Sequence, residues 1–474
     1  MKKTKIIATV GPVTESEEQL IAMYKAGINI IRFNFSHANY EVASAIMTRI
    51  RKLNNEGKTQ LSTLLDTKGP EIRTGDLKTK IQFEKDDMVK IYIDSAKFQD
   101  DGKSLFCDYP YLLEDVNIGQ IIRIDSGLFD VEVVEKKEDH VLVVAKNSCL
   151  IGSRRHVNLP GVKLRLPGIT GQDKQDVLFS IEQGYDFIAM SFVRNRSNIE
   201  ELRSLLALHN ANHIKIISKV ENQEGIENID EIITASDGVM VARGDLGIEV
   251  AIEKLPVYQL DIVKKSMAQG KFVIVATHLL ETMIENPFPT RAEVSDIFNC
   301  VRQKADCTML SGETTIGKYP IQSVEMMTAV IKEAETNTHY SHEDFSDEGL
   351  CARDIEKKHL IKNALFMSES LNVRAVLIFT KSGRLARLAA AFRPNRDVYA
   401  FTMKEGSVRY MNALFGIRPV LLSNWSENLG SNLDNAIAFL KVEKILAPGD
   451  RIIAVNDIQR EGKEIPVVEI ITIE

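Results

Sequence analysis

Eight short apolar runs constrain this chain more than any other feature of it. They are Lys5–Val10, Ile28–Phe33, Leu61–Asp66, Phe187–Phe192, Ile214–Lys219, Gly238–Ala242, Phe272–Ala276 and Cys307–Leu310, rich in Ile and Val and each followed by polar residues. Near-continuous apolarity over about five residues is the pattern of strands covered on both faces, as in parallel sheets. Amphipathic stretches such as Ser16–Ala26, Tyr40–Asn54 and Leu255–Gln269 lie between them and read as helices. Eight β/α units in succession predict an α/β chain built on a closed (β/α)8 TIM barrel.

The spacing of the runs locates a second part. Most begin about 23–35 residues apart, the length of one strand and one helix, but the third and fourth are separated by about 126 residues. Removing an insert of about 95 residues leaves about 240 for the barrel, close to the roughly 250 typical of the fold. Within the insert, Met88–Asp94, Ile121–Ile124, Asp130–Val134 and His140–Ala145 alternate apolar and polar around Gly119 and Gly127. That describes a small antiparallel β-barrel domain. Because it emerges from the third βα loop, it is expected to sit over the barrel mouth as a lid. An acidic stretch from Ser341 to Glu348 then marks a boundary. Strands at Ala375–Phe379, Val398–Phe401, Pro419–Leu422, Arg451–Val455 and Val467–Ile473 alternate with helices beyond it, predicting a C-terminal open α/β domain. The expected division is residues 1–68 and 166–337 for the barrel, 69–165 for the lid and 338–474 for the last domain.

Composition excludes several function classes. A net charge of −7 makes the chain a poor general binder of nucleic acid or of anionic membranes, though not of an anion in a local basic pocket. Five scattered cysteines without a CxxC pair argue against a disulfide scaffold or a structural zinc site. The apolar stretch after the basic start is too short for a signal peptide, and no run approaches a membrane span. A soluble, cytoplasmic protein is expected.

In (β/α)8 enzymes the chemistry is supplied from the C-terminal ends of the strands. Here those ends carry Arg32, Asn34, Ser36 and His37; Asp66, Thr67 and Lys68, with Arg73 beyond; Ser191 and Arg194; Lys219 and Glu221; Arg243, Gly244 and Asp245; Thr277 and His278; Ser311 and Glu313. Any one of these alone reads as a solvated loop residue or a helix cap. Their convergence is what carries weight. Lys219 and Glu221 lie two apart and so point to the same side of an extended segment. Glu221 and Asp245, on neighbouring strands, suit a hard divalent cation, and Arg32, Arg73 and Lys219 suit phosphoryl oxygens.

Other features read more plainly. The cysteines are expected to be buried small hydrophobes, Trp425 to pack in a core or interface, His342 and His359 to lie on the surface, and Glu135–Asp139 to be an exposed hairpin turn. Thr380-Lys381-Ser382-Gly383-Arg384 follows a strand and opens a helix. Its hydroxyls, backbone N–H groups and lysine make a candidate phosphate site, although serine there is also an ordinary cap.

Several segments together resemble the pyruvate kinase family over essentially the whole chain. They are Lys5–Pro12 (KIIATVGP), Arg32–His37 (RFNFSH), Leu65–Thr74 (LDTKGPEIRT), Asn158–Gly161 (NLPG), Ile216–Asn222 (IISKVEN), Met240–Glu249 (MVARGDLGIE), Pro289–Asp296 (PTRAEVSD) and Met309–Thr314 (MLSGET). The resemblance implies transfer of a phosphoryl group from phosphoenolpyruvate to ADP, followed by protonation of the enolate to pyruvate. It implies Mg2+ (or Mn2+) on Glu221 and Asp245, and K+ on Asn34, Ser36, Asp66 and the Thr67 carbonyl, with Glu71 resembling K+-dependent members. Lys219 would stabilise the phosphoryl in flight and Arg32 would contact substrate. Gly244 and Thr277 would place the substrate carboxylate, with Thr277 on the proton route. Asn34, Phe35, Ser36, His37, Arg73 and the lid's Arg155 would contact the nucleotide, which brings a second Mg2+. A homotetramer is likewise implied.

The chain also departs from the family pattern. Ser126 stands where a second acid is usual, and Arg154-Arg155-His156 replaces Lys-Lys-Gly. Met190 and His278 replace Ala and Gln, both expected beside the substrate pocket. The Thr380–Arg384 loop resembles a sugar-phosphate effector loop, but Val455–Gly462 lacks the glycine- and proline-rich loop that accompanies it. Two rival readings remain. A magnesium-dependent lyase or aldolase would share Glu221 and Asp245 but have no use for Lys219, Arg73 and a lid. A degenerate paralogue that senses metabolites is suggested by Ser126, Met190 and His278.

Overall fold

The structure is a computed structural model. It describes residues 2–36, 39–342, 344–348, 350–426, 429–460 and 463–474, without the side chains of 429, 457–460 and 463–464. Eight parallel strands close into a barrel: Lys5–Thr9, Ile30–Asn34, Ser62–Asp66, Phe187–Met190, Lys215–Val220, Gly238–Ala242, Phe272–Ala276 and Cys307–Leu310. All eight fall within a residue or two of the apolar runs. The strand period of two sorts their side chains. Ile6, Ala8, Ile31, Leu65, Val239, Val241, Val273 and Val275 point outward under the helices. Ile7, Ile30, Leu64, Ala189, Ile217, Met240, Ile274 and Met309 fill the interior. Local signals set the helix starts. Thr170 with Asp173 and Thr290 with Glu293 form capping boxes, each satisfying otherwise unpaired N–H groups for about 1 kcal/mol.

The segment between the third and fourth barrel strands folds as a seven-stranded sheet and a two-stranded ribbon around one core that includes Phe83, Phe129 and Tyr109. Its pairs are antiparallel apart from Met88–Tyr92 with Ser104–Phe106, which run parallel. The lid meets the barrel through Asn158, whose Nδ2 donates to Glu249 Oε1 at 2.6 Å, and through Arg123, which donates to the Ile248 carbonyl.

The last domain is a five-stranded sheet. Four strands are parallel and the outer one, Lys463–Thr472, runs antiparallel to Arg451–Arg460. The strand Arg451–Arg460 carries residues 455–460, part of the stretch that lacks the glycine- and proline-rich loop of the family; residues 461–462 lie outside the described residues. The interior of the barrel continues into this domain as a single apolar cluster with Phe392, Met411, Leu414 and Ile417. The junction also holds a buried ion pair, Arg393 Nη2 to Asp306 Oδ2 at 2.7 Å and Nη1 to Oδ1 at 2.9 Å. Two readings of single residues need correction. His342 is buried rather than on the surface, with Nδ1 2.9 Å from the Phe392 carbonyl, because the acidic linker folds back onto Lys358. Cys351 is exposed, since it begins a helix in that linker, while Cys107, Cys300 and Cys307 are buried and Cys149 is partly so.

Candidate active site

Continuing each interior row by two residues, from apolar core to barrel mouth, leads to Thr9, Arg32, Asp66, Ser191 and Lys219, with Glu221 one step further. The same alternation that packs the core therefore aims these polar groups at one point. Asp66 sits at the centre. Arg32 Nε donates to its Oδ2 at 2.7 Å, Lys219 Nζ lies 3.1 Å from Oδ1, and the Ser191 hydroxyl is 3.3 Å from Oδ1. Lys219 Nζ also donates to Ser191 Oγ at 2.7 Å and lies 2.8 Å from Glu221 Oε1. Arg32 is steadied from its other side by Thr9 Oγ1 at 2.9 Å.

All these groups are buried, and their charges answer one another. Burial would lower the Lys219 ammonium, but Asp66, Glu221 and Asp245 hold it well above its ordinary range. Burial pushes Asp66 up, yet Lys219 and Arg32 outweigh it and keep the carboxyl below the usual value. Glu221 is displaced upward, chiefly by burial and further by Asp245, against the pull of Lys219. Its Oε2 accepts the Phe192 N–H at 2.7 Å, and its buried Oε1 has the Lys219 ammonium 2.8 Å away. Three carboxylates against two cations leave one negative charge in excess. A buried carboxylate with a second one, Asp245, near enough to push it further upward fits a hard divalent cation held by Glu221 and Asp245. Among the described residues there is no group of three or more His, Cys, Asp or Glu placed to hold a metal ion.

The far rim is built by backbone strain. Thr277 and His278 both have positive φ, +69° and +53°. Few β-branched residues adopt that conformation, and here neighbours impose it. Arg243 Nε and Nη2 donate to the Thr277 carbonyl at 3.2 and 2.5 Å, and Nη2 reaches the His278 carbonyl at 3.2 Å; the same guanidinium pairs with Asp296 at 2.7 Å. The twist turns Thr277 Oγ1 toward Gly244, whose N–H donates to it at 2.8 Å. Arg243 was legible as a strand-end residue and Asp296 only as a member of a motif; their clamping of this turn depends on a contact 53 residues apart in sequence. Glu313 proves structural, accepting the N–H groups of Leu280 and Ser311.

On the lid side, Arg73 is fastened to Glu71 at 2.6 and 2.9 Å, and Arg155 lies 3.4 Å from Asp125. The Thr74 N–H donates to the Arg155 carbonyl and the Arg155 N–H to Thr74 Oγ1, so both arginines belong to one strand junction at the lid's base. Gly69 makes the turn from barrel to lid: φ is +73°, and a Cβ there would meet Ser191 Cβ at 2.8 Å. Asn34 ends the second strand and Phe35 and Ser36 follow it, Phe35 buried among Tyr40, Phe179 and Tyr185, while His37 lies outside the described residues. The Thr67 carbonyl accepts Ser191 Oγ at 2.6 Å. Met190 is not beside the pocket. Strand alternation puts it outside the barrel with Ile169, Val177 and Ile188, because Ala189 and Ser191 take the inward positions.

A (β/α)8 barrel whose mouth gathers carboxylates, a buried lysine and arginines has the layout of an enzyme site for an anionic substrate. Comparison with known proteins narrows this. Residues 1–324 match the pyruvate kinase barrel domain and 358–466 the pyruvate kinase alpha/beta domain. A pyruvate kinase of Geobacillus stearothermophilus is 40% identical over 423 residues, 88% of this chain and 71% of that protein. One from Eimeria tenella is 37% identical over 97% of this chain and 87% of its own length. A crystal structure of a pyruvate kinase from Cryptosporidium parvum superposes with a TM-score of 0.93 at 34% identity, covering 100% of this chain and 96% of that one. The chain belongs to the pyruvate kinase family, and it is a phosphotransferase. No helix among the described residues is long and apolar enough to cross a membrane.

Proposed function

We propose that the barrel mouth transfers the phosphoryl group of phosphoenolpyruvate to the β-phosphate of ADP and then protonates the enolate, giving pyruvate and ATP. The observation that carries this reading is the buried Lys219, held cationic between Asp66 and Glu221. In water-excluded surroundings a fixed ammonium stabilises charge on a phosphoryl in flight without reorganising. Arg32 would hold the phosphoryl or substrate oxygens. The Gly244 amide and Thr277 hydroxyl, which bond to each other here, would turn to the substrate carboxylate. Thr277, on the opposite rim, would stand on the route by which the enolate carbon gains its proton. Asn34, Phe35, Ser36, His37, Arg73 and Arg155 would contact the nucleotide.

Family members work with a divalent metal and potassium. Glu221 and Asp245 would hold Mg2+ (or Mn2+), which supplies positive charge to the substrate oxygens when bound. Asn34, Ser36, Asp66 and the Thr67 carbonyl would hold K+. Asn34 Oδ1 supports this, since among the described residues its hydrogen-bond partner is the Ser36 N–H at a long 3.3 Å. Asp66 already serves Arg32 and Lys219, so K+ would share it with them. The loop 380–384, walling a cleft of about 230 Å3 with Arg353, Lys357 and Trp425, would take the phosphate of an effector. A cytoplasmic homotetramer completes the reading, to be checked by native mass.

The test is pyruvate formation from phosphoenolpyruvate and ADP with Mg2+, with and without K+. Turnover that rises with K+ supports the full assignment, and turnover indifferent to K+ removes the potassium ligands. A folded protein without turnover in either buffer leaves the sensor reading.

A further inference from the structure

A second cleft lies on the barrel side of the 380–384 loop, where the N-terminal end of the barrel meets the C-terminal domain. Its volume is about 480 Å3, and Lys215, Lys271, Arg384, Arg387 and Tyr410 supply most of its chemistry, with Asp237 and Glu348 on the rim. The charges are unevenly matched. Arg384 is paired with Asp354 at 2.7 Å. Asp237 is divided between Arg203 at 3.3 Å and Lys215 at 4.0 Å, and it also accepts the Ile216 N–H. The remaining two cations meet only neutral carbonyls among the described residues. Arg387 Nη1 donates to the Gly270 carbonyl at 3.1 Å, and Lys271 Nζ donates to those of Thr234 and Ser236 at 3.2 and 2.6 Å. Gly270 and Lys271 are adjacent, so the guanidinium and the ammonium flank the same short turn.

We propose that this cleft binds a phosphomonoester, its dianionic phosphate held between Lys271 and Arg387, as a site distinct from the one on the outer side of the loop. An arginine fork beside a lysine point charge matches phosphate oxygens, and the volume is within the range of metabolite pockets. The state of Lys271 accords with an unanswered positive field: burial first, then Arg387 and Arg203, bring its pKa down to about 8 despite Asp237. Ser382 and Arg384 line both clefts, so one short loop separates them. That loop is tied to the barrel. Gly383, at φ +78°, allows it to lie against Tyr410, where a Cβ would come within 2.7 Å of the ring. Tyr410 in turn carries Lys215 5.4 Å over its ring. Its neighbour Arg409 pairs with Asp186 at 2.7 Å, just before the fourth barrel strand.

Isothermal titration of the full chain with glycerol 3-phosphate, and separately with inorganic phosphate, tests the site. Saturable binding of glycerol 3-phosphate is expected, weakened about tenfold or more in R387Q, as loss of a charge-assisted contact requires. K381M, on the outer side of the loop, should leave it within about twofold. Proton uptake on binding between pH 7 and 9, read from buffers of different ionisation heat, should accompany it and disappear in K271M. If R387Q does not fold, K215M replaces it with the same direction of effect. Absence of saturable binding overturns the proposal, as does binding indifferent to R387Q or abolished by K381M. Binding of inorganic phosphate alone overturns the ester assignment.

Discussion

Replacing Lys219 by Met removes the charge around which the barrel mouth is organised. Its ammonium is 2.8 Å from Glu221 Oε1 and 3.1 Å from Asp66 Oδ1. At an effective dielectric near 20, each approach is an attraction of about 5–6 kcal/mol. The same ammonium facing a phosphoryl oxygen at similar range gains a comparable amount, but only the share that grows toward the transition state accelerates the reaction. Taking about 4–5.5 kcal/mol of that as differential, turnover in K219M should fall about 10³–10⁴-fold. The Michaelis constant for phosphoenolpyruvate should move much less. Steady-state pyruvate formation gives both numbers. Titration with Mn2+, followed by its paramagnetic signal, supplies the control. Loss of a cation makes the pocket more negative, so Mn2+ should bind as well or better. Turnover within tenfold of the parent would refute the electrostatic role. Collapse of Mn2+ binding would instead assign the loss to a damaged metal pocket.

Three further outcomes follow from contacts elsewhere. Glu249, which receives the lid's Asn158, is pushed up to about 7, first by burial and then by Asp245. A raised folded pKa means stability that is complete below about 4.5 and lost as pH rises through about 7, about 3 kcal/mol at most by linkage; melting temperature should therefore fall between pH 5.5 and 8.5, and E249Q should flatten that slope. In R243Q the clamp on the left-handed Thr277–His278 turn is gone, so kcat should drop about 10–10²-fold, as expected for a displacement near 1 Å, while far-UV circular dichroism stays unchanged. R393M strands the buried Asp306 carboxylate at the junction of barrel and C-terminal domain, which should cost about 3–5 kcal/mol in urea unfolding, and adding D306L should recover much of it.

The sequence by itself determined what depends on local periodicity. Eight short, near-continuous apolar runs placed the strands, and strand ends in a barrel of this kind converge. Arg32, Asp66, Lys219 and Glu221 were therefore legible as one cluster before any coordinate was known. Capping residues such as Thr170 and Thr290 were equally local, since each bonds within its own helical turn. Only the tertiary structure decided contacts whose two halves lie far apart in the chain. Arg243 on Thr277 and Asp296, Arg393 on Asp306 and Asn158 on Glu249 leave no periodic trace, because the second partner is supplied by another element. Met190 and His342 went astray for the same reason. Proximity to a site in sequence fixes neither the face of a strand nor what folds over a linker; the packed neighbours do, and burial then sets which charges must find one another.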